Sequence, residues 1–369
     1  MNQIVVTHCG VMTALGDLDQ TWSRLMAGES GLGGNFFSGD LARWPVGAIN
    51  DLAAGPGGVS RVTELIERGL FGLPSLPPGT GIVVATTKGA ADEVMESPEG
   101  PWSGQPAAIG TMVASMISGQ GPIATVSAAC ASGTIALIQA AQCLNQSGQP
   151  TVFLVTGIDI LSRFVESGFA SLRALTPDCC RPFDRQRNGL ALGEGLGWLV
   201  VTIRGEADHL GWPVLASIPS WGVSGDAGHI TAPSREASGL LRTLRKTTEN
   251  GQRKVGGVNA HGTGTPFNDA MEMTAFNTLG WHDTPIHSIK GAIGHCLGGA
   301  GVIEAAISIR SLAHGVVPPT VGYRASLPEQ QLRISGTVAQ ELTAPSVLSC
   351  NSGFGGINAA VLFENFDEA

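Results

Sequence analysis

Residues 123–157 read IATVSAACASGTIALIQAAQCLNQSGQPTVFLVTG. IATVSAA (123–129) is strand-like, SGTIALIQAAQCLN (132–145) has its apolar residues at helical spacing, and TVFLVTG (151–157) is an apolar run of buried-strand length. Strand, helix and strand in that order make a βαβ unit, which favours a parallel sheet with helices on its faces. Cys130 stands at the turn between the first strand and the helix, among small residues. A thiol there feels the positive end of the helix dipole, which favours the thiolate, the nucleophilic form. Neighbouring backbone N–H groups can donate to an oxyanion. The competing reading is a buried small hydrophobe, the commonest fate of a free cysteine.

Outward from this unit the α/β pattern continues. QIVVT (3–7) and GIVVAT (81–86) read as strands, DQTWSRLMAG (19–28) and SRVTELIERGLF (60–71) as helices, and LGWLVVTI (196–203) as a further strand. Beyond RGEAD (204–208) a second half begins. VGGVNA (255–260) and IHSIKG (286–291) are strand-like, with a helix over FNDAMEMTAFNTLG (267–280) between them. GHCLGGAGVIEAAISIRSLAHG (294–315) is a glycine-rich turn entering a long helix. SVLSCNSGFGG (346–356) ends a strand in a glycine loop, and INAAVLFEN (357–365) reads as the last strand. The segments starting at ACASG and GHCLG share a layout, which suits either a duplication or ordinary α/β monotony.

Composition narrows the classes. The 369 residues carry 21 basic and 30 acidic side chains, a net charge of −9, and 43% are hydrophobic against 14% charged. That excludes a disordered chain and argues against broad nucleic-acid binding, which needs a basic face. The 52 glycines follow no G-X-Y period, so collagen is excluded. From Gly100 to Ile158 there is no charged side chain. Gly, Pro, Gln, Asn and Ser interrupt that run too often for a membrane span, so it is expected to be interior with a subunit interface. MNQIVVTHCG does not read as a signal peptide, and seven cysteines without a CxxC pair suggest reduced thiols in a cytoplasm.

Three further segments carry chemistry-bearing residues. His261 lies in NAHGTGTPFND (259–269), followed by glycines and by Thr263 and Thr265, which could hydrogen-bond a substrate. Lys290 and His295 lie five apart in IKGAIGHCLGGAG (289–301), and Phe354 lies in SGFGG (352–356). Cys130, His261 and His295 each stand beside a strand end, where α/β proteins place their sites. Taken singly, each also reads as a satisfied structural histidine, a surface lysine or a simple turn. Neither HDTPIH (282–287) nor Cys179-Cys180 has zinc spacing, so no metal is expected. No phosphate-binding glycine motif occurs.

TVSAACASG (125–133), RPFDRQRNGLALGEG (181–195), VNAHGTGTPFND (258–269), IKGAIGHCLGGAGVIEA (289–305) and NSGFGGINAAV (351–361) resemble, in this order, the motifs of elongating β-ketoacyl-acyl-carrier-protein synthases and of the related type II polyketide and polyene ketosynthases. The resemblance implies the thiolase fold, a five-layered αβαβα core from two similar βαβαβαββ halves, here 1–208 and 209–369. It implies that Cys130 takes an acyl chain from phosphopantetheine. His261 and His295 would assist decarboxylation of a malonyl thioester, and Lys290 would support the second histidine. Thr263 and Thr265 match threonines that bind the pantetheine arm. Phe354 matches a gating phenylalanine whose N–H joins that of Cys130 in an oxyanion hole, and Glu304 matches a structural glutamate. The implied reaction is a decarboxylative Claisen condensation giving a 3-oxoacyl carrier protein, in fatty acid or polyketide synthesis. It implies no cofactor beyond the phosphopantetheine of the acyl carrier protein. The implied partners are that carrier and a second subunit, as a homodimer or as a heterodimer with a ketosynthase-like chain, with no nucleic acid or membrane.

The chain departs from these relatives in places. It is short before Cys130, and short again at TPDCC (176–180), near another carrier contact of relatives. Helix 60–71 offers only Arg61 and Arg68 where relatives often present a denser basic patch for the carrier. Docking is then expected to draw on Arg163, Arg173, Arg185 or Arg187. TTKG (86–89) is similar to ketosynthases of pigment and polyene pathways. Met112, Met116 and Ile117, in the uncharged run, are expected to line the acyl pocket or the dimer interface. Two alternatives use the same residues: a non-catalytic partner subunit of the chain-length-factor type, against which Cys130 argues, and an acyl-thioester hydrolase or transferase.

Overall fold

The computed structural model describes residues 3–35, 37–50, 52, 60–96, 105–117, 121–146, 150–327 and 332–366. Parts of the uncharged run (100–104, 118–120 and 147–149) therefore lie outside the described residues.

Ten strands carry the fold. The first five are β1 (Ile4–Thr13), β2 (Gly81–Ala85), β3 (Ile123–Val126), β4 (Val152–Asp159) and β5 (Gly195–Ile203). The second five are β6 (Ala216–Gly225), β7 (Gly257–Asn259), β8 (Ile286–His287), β9 (Ser346–Gly353) and β10 (Ile357–Glu364). Hydrogen bonding orders them β3-β2-β4-β5-β1 and β8-β7-β9-β10-β6. In both sets the three outer strands are parallel and the last two pairings antiparallel. A short pairing of Val5 with Ser217 and Val6 with Ala216 joins the sets. The same order and directions occurring twice make the shared layout a duplication rather than monotony.

Seven helices complete the layers: α1 (Arg61–Gly69), α2 (Pro106–Met116), α3 (Ser132–Leu144), α4 (Arg163–Ser171), α5 (Ser238–Thr247), α6 (Pro266–Thr278) and α7 (Ala300–His314). Alternation along the strands sorts them. Val83 and Ala85 of β2 and Val361 and Phe363 of β10 face a shared core with Leu137 of α3 and Val302 of α7. Ile82 and Val84 turn the other way, onto Leu65 of α1 and Val113 of α2. Ala360 and Leu362 turn onto Leu244 of α5 and Phe276 of α6. The layers therefore run helix, sheet, helix, sheet, helix. Each fully buried Leu, Ile or Phe contributes about 1.5–3 kcal/mol, so both faces of both sheets must stay covered. Such strands read as unbroken apolar runs, which is why they were legible.

The middle layer sets the site. A Cβ on Gly133 would lie 2.7 Å from Val302 N, and one on Gly301 would lie 2.5 Å from Thr134 N. Only glycine lets α3 and α7 cross this closely. The crossing brings together the loops that precede the two helices, which carry Cys130 and His295.

Several elements differ from expectation. α2, α4, β6 and α5 were not foreseen. Pro219 interrupts the β6 sequence, but it falls at the register shift between Leu362 and Glu364 and beyond the two residues paired with β1. A proline is tolerated at such a place. The strand expected over 286–291 ends at His287, and Lys290–Ile293 is a helical turn. Among the described residues no helix is long and apolar enough to cross a membrane.

Candidate active site

Cys130 follows β3 and precedes α3 by two residues. The turn is held by Ser132, whose Oγ accepts from Ala128 N at 2.7 Å and donates to Ala129 O at 2.6 Å. Ala129 adopts φ 50°, a strained value for a residue with a Cβ and one that clusters at functional sites. Gly353 packs against this turn: a Cβ there would lie 3.2 Å from Cys130 N. The glycine loop carrying Phe354 therefore passes directly over the cysteine.

The loop carrying His261 leaves β7 and is pinned by two carboxylates of α6. Glu272 accepts from His261 N at 2.8 Å and from Gly262 N at 2.7 Å. Asp269 accepts from Thr263 N at 3.0 Å and from Gly264 N at 3.1 Å. The sequence reading missed both clamps. Their signal was present: two acids three residues apart, just after a loop rich in glycine. Burial and the nearby Asp269 push the Glu272 carboxyl up to about 8, against the pull of these N–H donors.

Lys290 and Glu304 form a buried ion pair. Asn351, also missed, completes the network. Its Nδ2 donates to Glu304 Oε2 at 2.6 Å and faces His261 Nδ1 at 3.2 Å, while its Oδ1 accepts from Thr134 Oγ1. Because an amide N–H donates, His261 Nδ1 accepts and the ring proton sits on Nε2. His295 is anchored through its backbone, donating to Ala191 O at 2.8 Å and accepting from Gly193 N at 3.1 Å. Both its ring nitrogens are buried without a hydrogen-bond partner.

Cys130 Sγ and a nitrogen of each of His261 and His295 lie within 4.8 Å of one another. The imidazoles meet edge to face, with centroids 5.2 Å apart. Burial, then the Lys290 charge, drives both histidines well below their ordinary value, so both are neutral near pH 7. The expected thiolate meets an opposing force. Cys130 is only 8% exposed, and burial pushes its thiol up to about 12 despite Lys290. The resting group is a thiol beside neutral imidazoles that can take its proton. One thiol and two imidazoles could also ligate a soft cation.

These side chains line a cavity of about 410 Å³ with Thr263, Thr265, Phe354 and Phe169. Thr263 Oγ1 and Thr265 Oγ1 are 2.8 Å apart, and Phe354 stacks on Phe169 of α4 at 5.8 Å. Met112, Met116 and Ile117 do not line this cavity. Met116 and Ile117 line a separate groove with Leu70 and Phe71, and Met112 packs on the outer core. Arg61 is no surface contact either: it is buried against Glu194, and Arg68 pairs with Glu64. Arg163 is engaged by Phe37 and Ser38, and Arg187 by the carbonyls of Asp184 and Pro266. Arg173 and Arg185 are exposed, and Arg173 lies at the cavity mouth.

The N-terminal domain of β-ketoacyl synthases matches residues 62–207, and the C-terminal domain matches residues 215–324. A polyketide β-ketoacyl synthase of Streptomyces halstedii is 35% identical over 270 residues, covering 70% of this chain and 64% of that protein. The 3-oxoacyl-[acyl-carrier-protein] synthase 2 of Staphylococcus aureus (strain COL) is 33% identical over 289 residues, covering 73% of this chain and 70% of that protein. The match thus spans just under two thirds of the polyketide relative. Among solved structures, the ishigamide ketosynthase/chain length factor superposes with a TM-score of 0.86 at 25% identity, over 99% of this chain and 100% of that one. Matched along both halves of its duplicated core, the chain belongs to the β-ketoacyl synthase family.

Proposed function

We propose that the chain catalyses decarboxylative condensation of malonyl-acyl carrier protein with an acyl chain held on Cys130. One observation carries the reading: a thiol and two neutral imidazoles converge within 4.8 Å, with one tautomer set by Asn351. In the first step Cys130 Sγ attacks the acyl thioester of phosphopantetheine, and an imidazole relays the thiol proton to the departing pantetheine sulfur. The N–H groups of Cys130 and Phe354 hold the tetrahedral oxyanion. Malonyl thioester then loses CO2, and the freed electron pair becomes an enolate. The Nε2–H of His261 and a ring N–H of His295 donate to its oxygen. Neutral rings suit this role because they keep a proton to donate, and the Lys290 charge helps keep them neutral. The carbanion attacks the acyl-Cys130 carbonyl, Cys130 leaves as thiolate, and a 3-oxoacyl carrier protein is released.

Thr263 and Thr265 fit the pantetheine amides, and residues 1–208 and 209–369 act as the two ketosynthase halves. The scheme contains no metal step, and phosphopantetheine arrives on its carrier. The second subunit, another copy or a ketosynthase-like chain, pairs along β3, the sheet edge. Free thiols at all seven cysteines suit a cytoplasmic setting.

Intact mass after incubation with acyl-carrier protein, then malonyl-carrier protein, tests the scheme, with Cys130→Ala as control. The expected result is an acyl adduct that requires Cys130 and disappears as 3-oxoacyl product forms. Release as free acid would establish the hydrolase instead. No adduct in the wild type alone, with full pathway activity retained when Cys130→Ala replaces it beside a second ketosynthase chain, would establish the partner-subunit reading.

A further inference from the structure

The chain is acidic overall, yet its basic residues are not evenly spread. Residues 235–254 hold six of the 21 basic side chains (Arg235, Arg242, Arg245, Lys246, Arg253 and Lys254) and two of the 30 acidic ones. This segment therefore carries +4 in a chain of −9. Arg242, Arg245 and Lys246 have the i, i+3, i+4 spacing of one helix face and are exposed on α5, opposite the buried Leu240, Thr243 and Leu244. No carboxylate pairs with these three among the described residues. From the last turn of α5 onward, Arg245, Lys254 and Arg253, the last paired with Glu249 and Glu364, line a groove of about 530 Å³ with Trp281.

The patch begins at the cavity mouth. Arg242 Nη2 donates to Gly225 O at 2.6 Å, and the next residue, Asp226, lines the cavity of Cys130 together with Thr231 and Pro233. The duplication adds a second point. α5 lies between the first and second strands of its half, as α1 does in the other half. On α1 both arginines are committed to glutamates. On α5 no carboxylate among the described residues neutralises the cations, and Arg242 holds only a backbone carbonyl.

We propose that the acyl carrier protein docks by an acidic surface on the α5 face, along Arg242, Arg245 and Lys246, and delivers its thioester past Asp226 to Cys130. This rests on the condensing function proposed above. Charge complementarity selects the occupant: an exposed positive row on a negative chain steers an acidic partner, and only a thioester carrier needs to end at this mouth.

The test is acylation of Cys130 by two donors, acyl-carrier protein and acyl-pantetheine without the carrier, in wild type and in the variant Arg242→Glu/Arg245→Glu/Lys246→Glu. Expected is a loss of about tenfold or more in kcat/KM for the carrier-borne donor, carried by KM, with the pantetheine donor unchanged. Added salt should slow the wild type and should not slow the charge-reversed variant. Wild-type kcat/KM with the carrier would overturn the proposal, as would an equal loss with both donors. A carrier-specific loss in Arg173→Glu/Arg185→Glu alone would place docking on those arginines and overturn it too. If neither donor acylates wild type, the condensing function itself falls.

Discussion

Asn351 touches both halves of the site's electrostatics: His261 Nδ1 on one side and the Lys290–Glu304 pair on the other. Asn351→Ala would leave two buried acceptors unmet, a destabilisation of about 1–3 kcal/mol. It would also release the His261 tautomer. We expect condensation to slow roughly 10–100-fold and acylation of Cys130 much less, because only the enolate needs Nε2–H (about 1.4 kcal/mol per tenfold). Single-turnover rates of the two steps, with a denaturation curve, check this. The thiol gives a sharper contrast. With its pKa pushed up to about 12 by burial, alkylation of Cys130 by iodoacetamide should keep rising through pH 9. A plateau near pH 7 would mean that the helix dipole overcomes burial. His287 serves as a stability probe outside the catalytic set. Burial alone pulls it down to about 3, and both its nitrogens lack partners. Between pH 6.5 and about 3 the unfolded chain binds the extra proton, so the stability attached to this group is complete above pH 6.5 and is lost as pH falls. His287→Leu should flatten the acid limb of a stability-versus-pH curve by up to about 1.4 kcal/mol per pH unit.

At the scale of elements, the crossing of α3 and α7 does the positioning. Gly301→Ala puts a methyl 2.5 Å from Thr134 N, a backbone atom that cannot swing aside. A loss of about 1–3 kcal/mol is expected, as for other overpacked cores, together with slower acylation as Cys130 and His295 move apart. Chemical denaturation and the adduct rate read the two effects. The helices of this crossing were legible in the sequence because each is long, apolar and preceded by small residues. So were Cys130, His261, Lys290, His295 and Phe354, since each sits in a short motif. What escaped was set by distant neighbours. β6 carries Pro219, which a strand accommodates only because it falls at the register shift against β10, a feature no local sequence shows. Arg61 looked like a surface cation because nothing local shows that Glu194, 133 residues away, buries it. Met116 and Ile117 belong to an apolar run whose register cannot say which cavity it faces.

At the scale of the whole molecule, the sheet ends among the described residues on β3, with no strand beyond it. Ile123 is 43% exposed and the next three residues are half-buried. Edge strands of lone proteins usually carry charge, proline or a covering segment to prevent pairing. IATV has none of the first two, and it sits inside a run from Gly100 to Ile158 without a charged side chain. α2 packs directly behind it, with Gly110 against Ile123 Cγ2, and ends at Met116, itself exposed beside Phe71. An uncharged edge backed by exposed apolar residues is stable in water when another strand covers it. Ile123→Lys places a charge on that edge without disturbing the core, since the side chain points partly to solvent. Sedimentation should show wild type as a dimer, with itself or with a co-expressed ketosynthase-like chain, and the variant as a folded monomer with unchanged circular dichroism. A variant that still associates would move the interface away from β3. A wild type that is monomeric alone and dimeric only with the second chain would identify that chain as the covering partner.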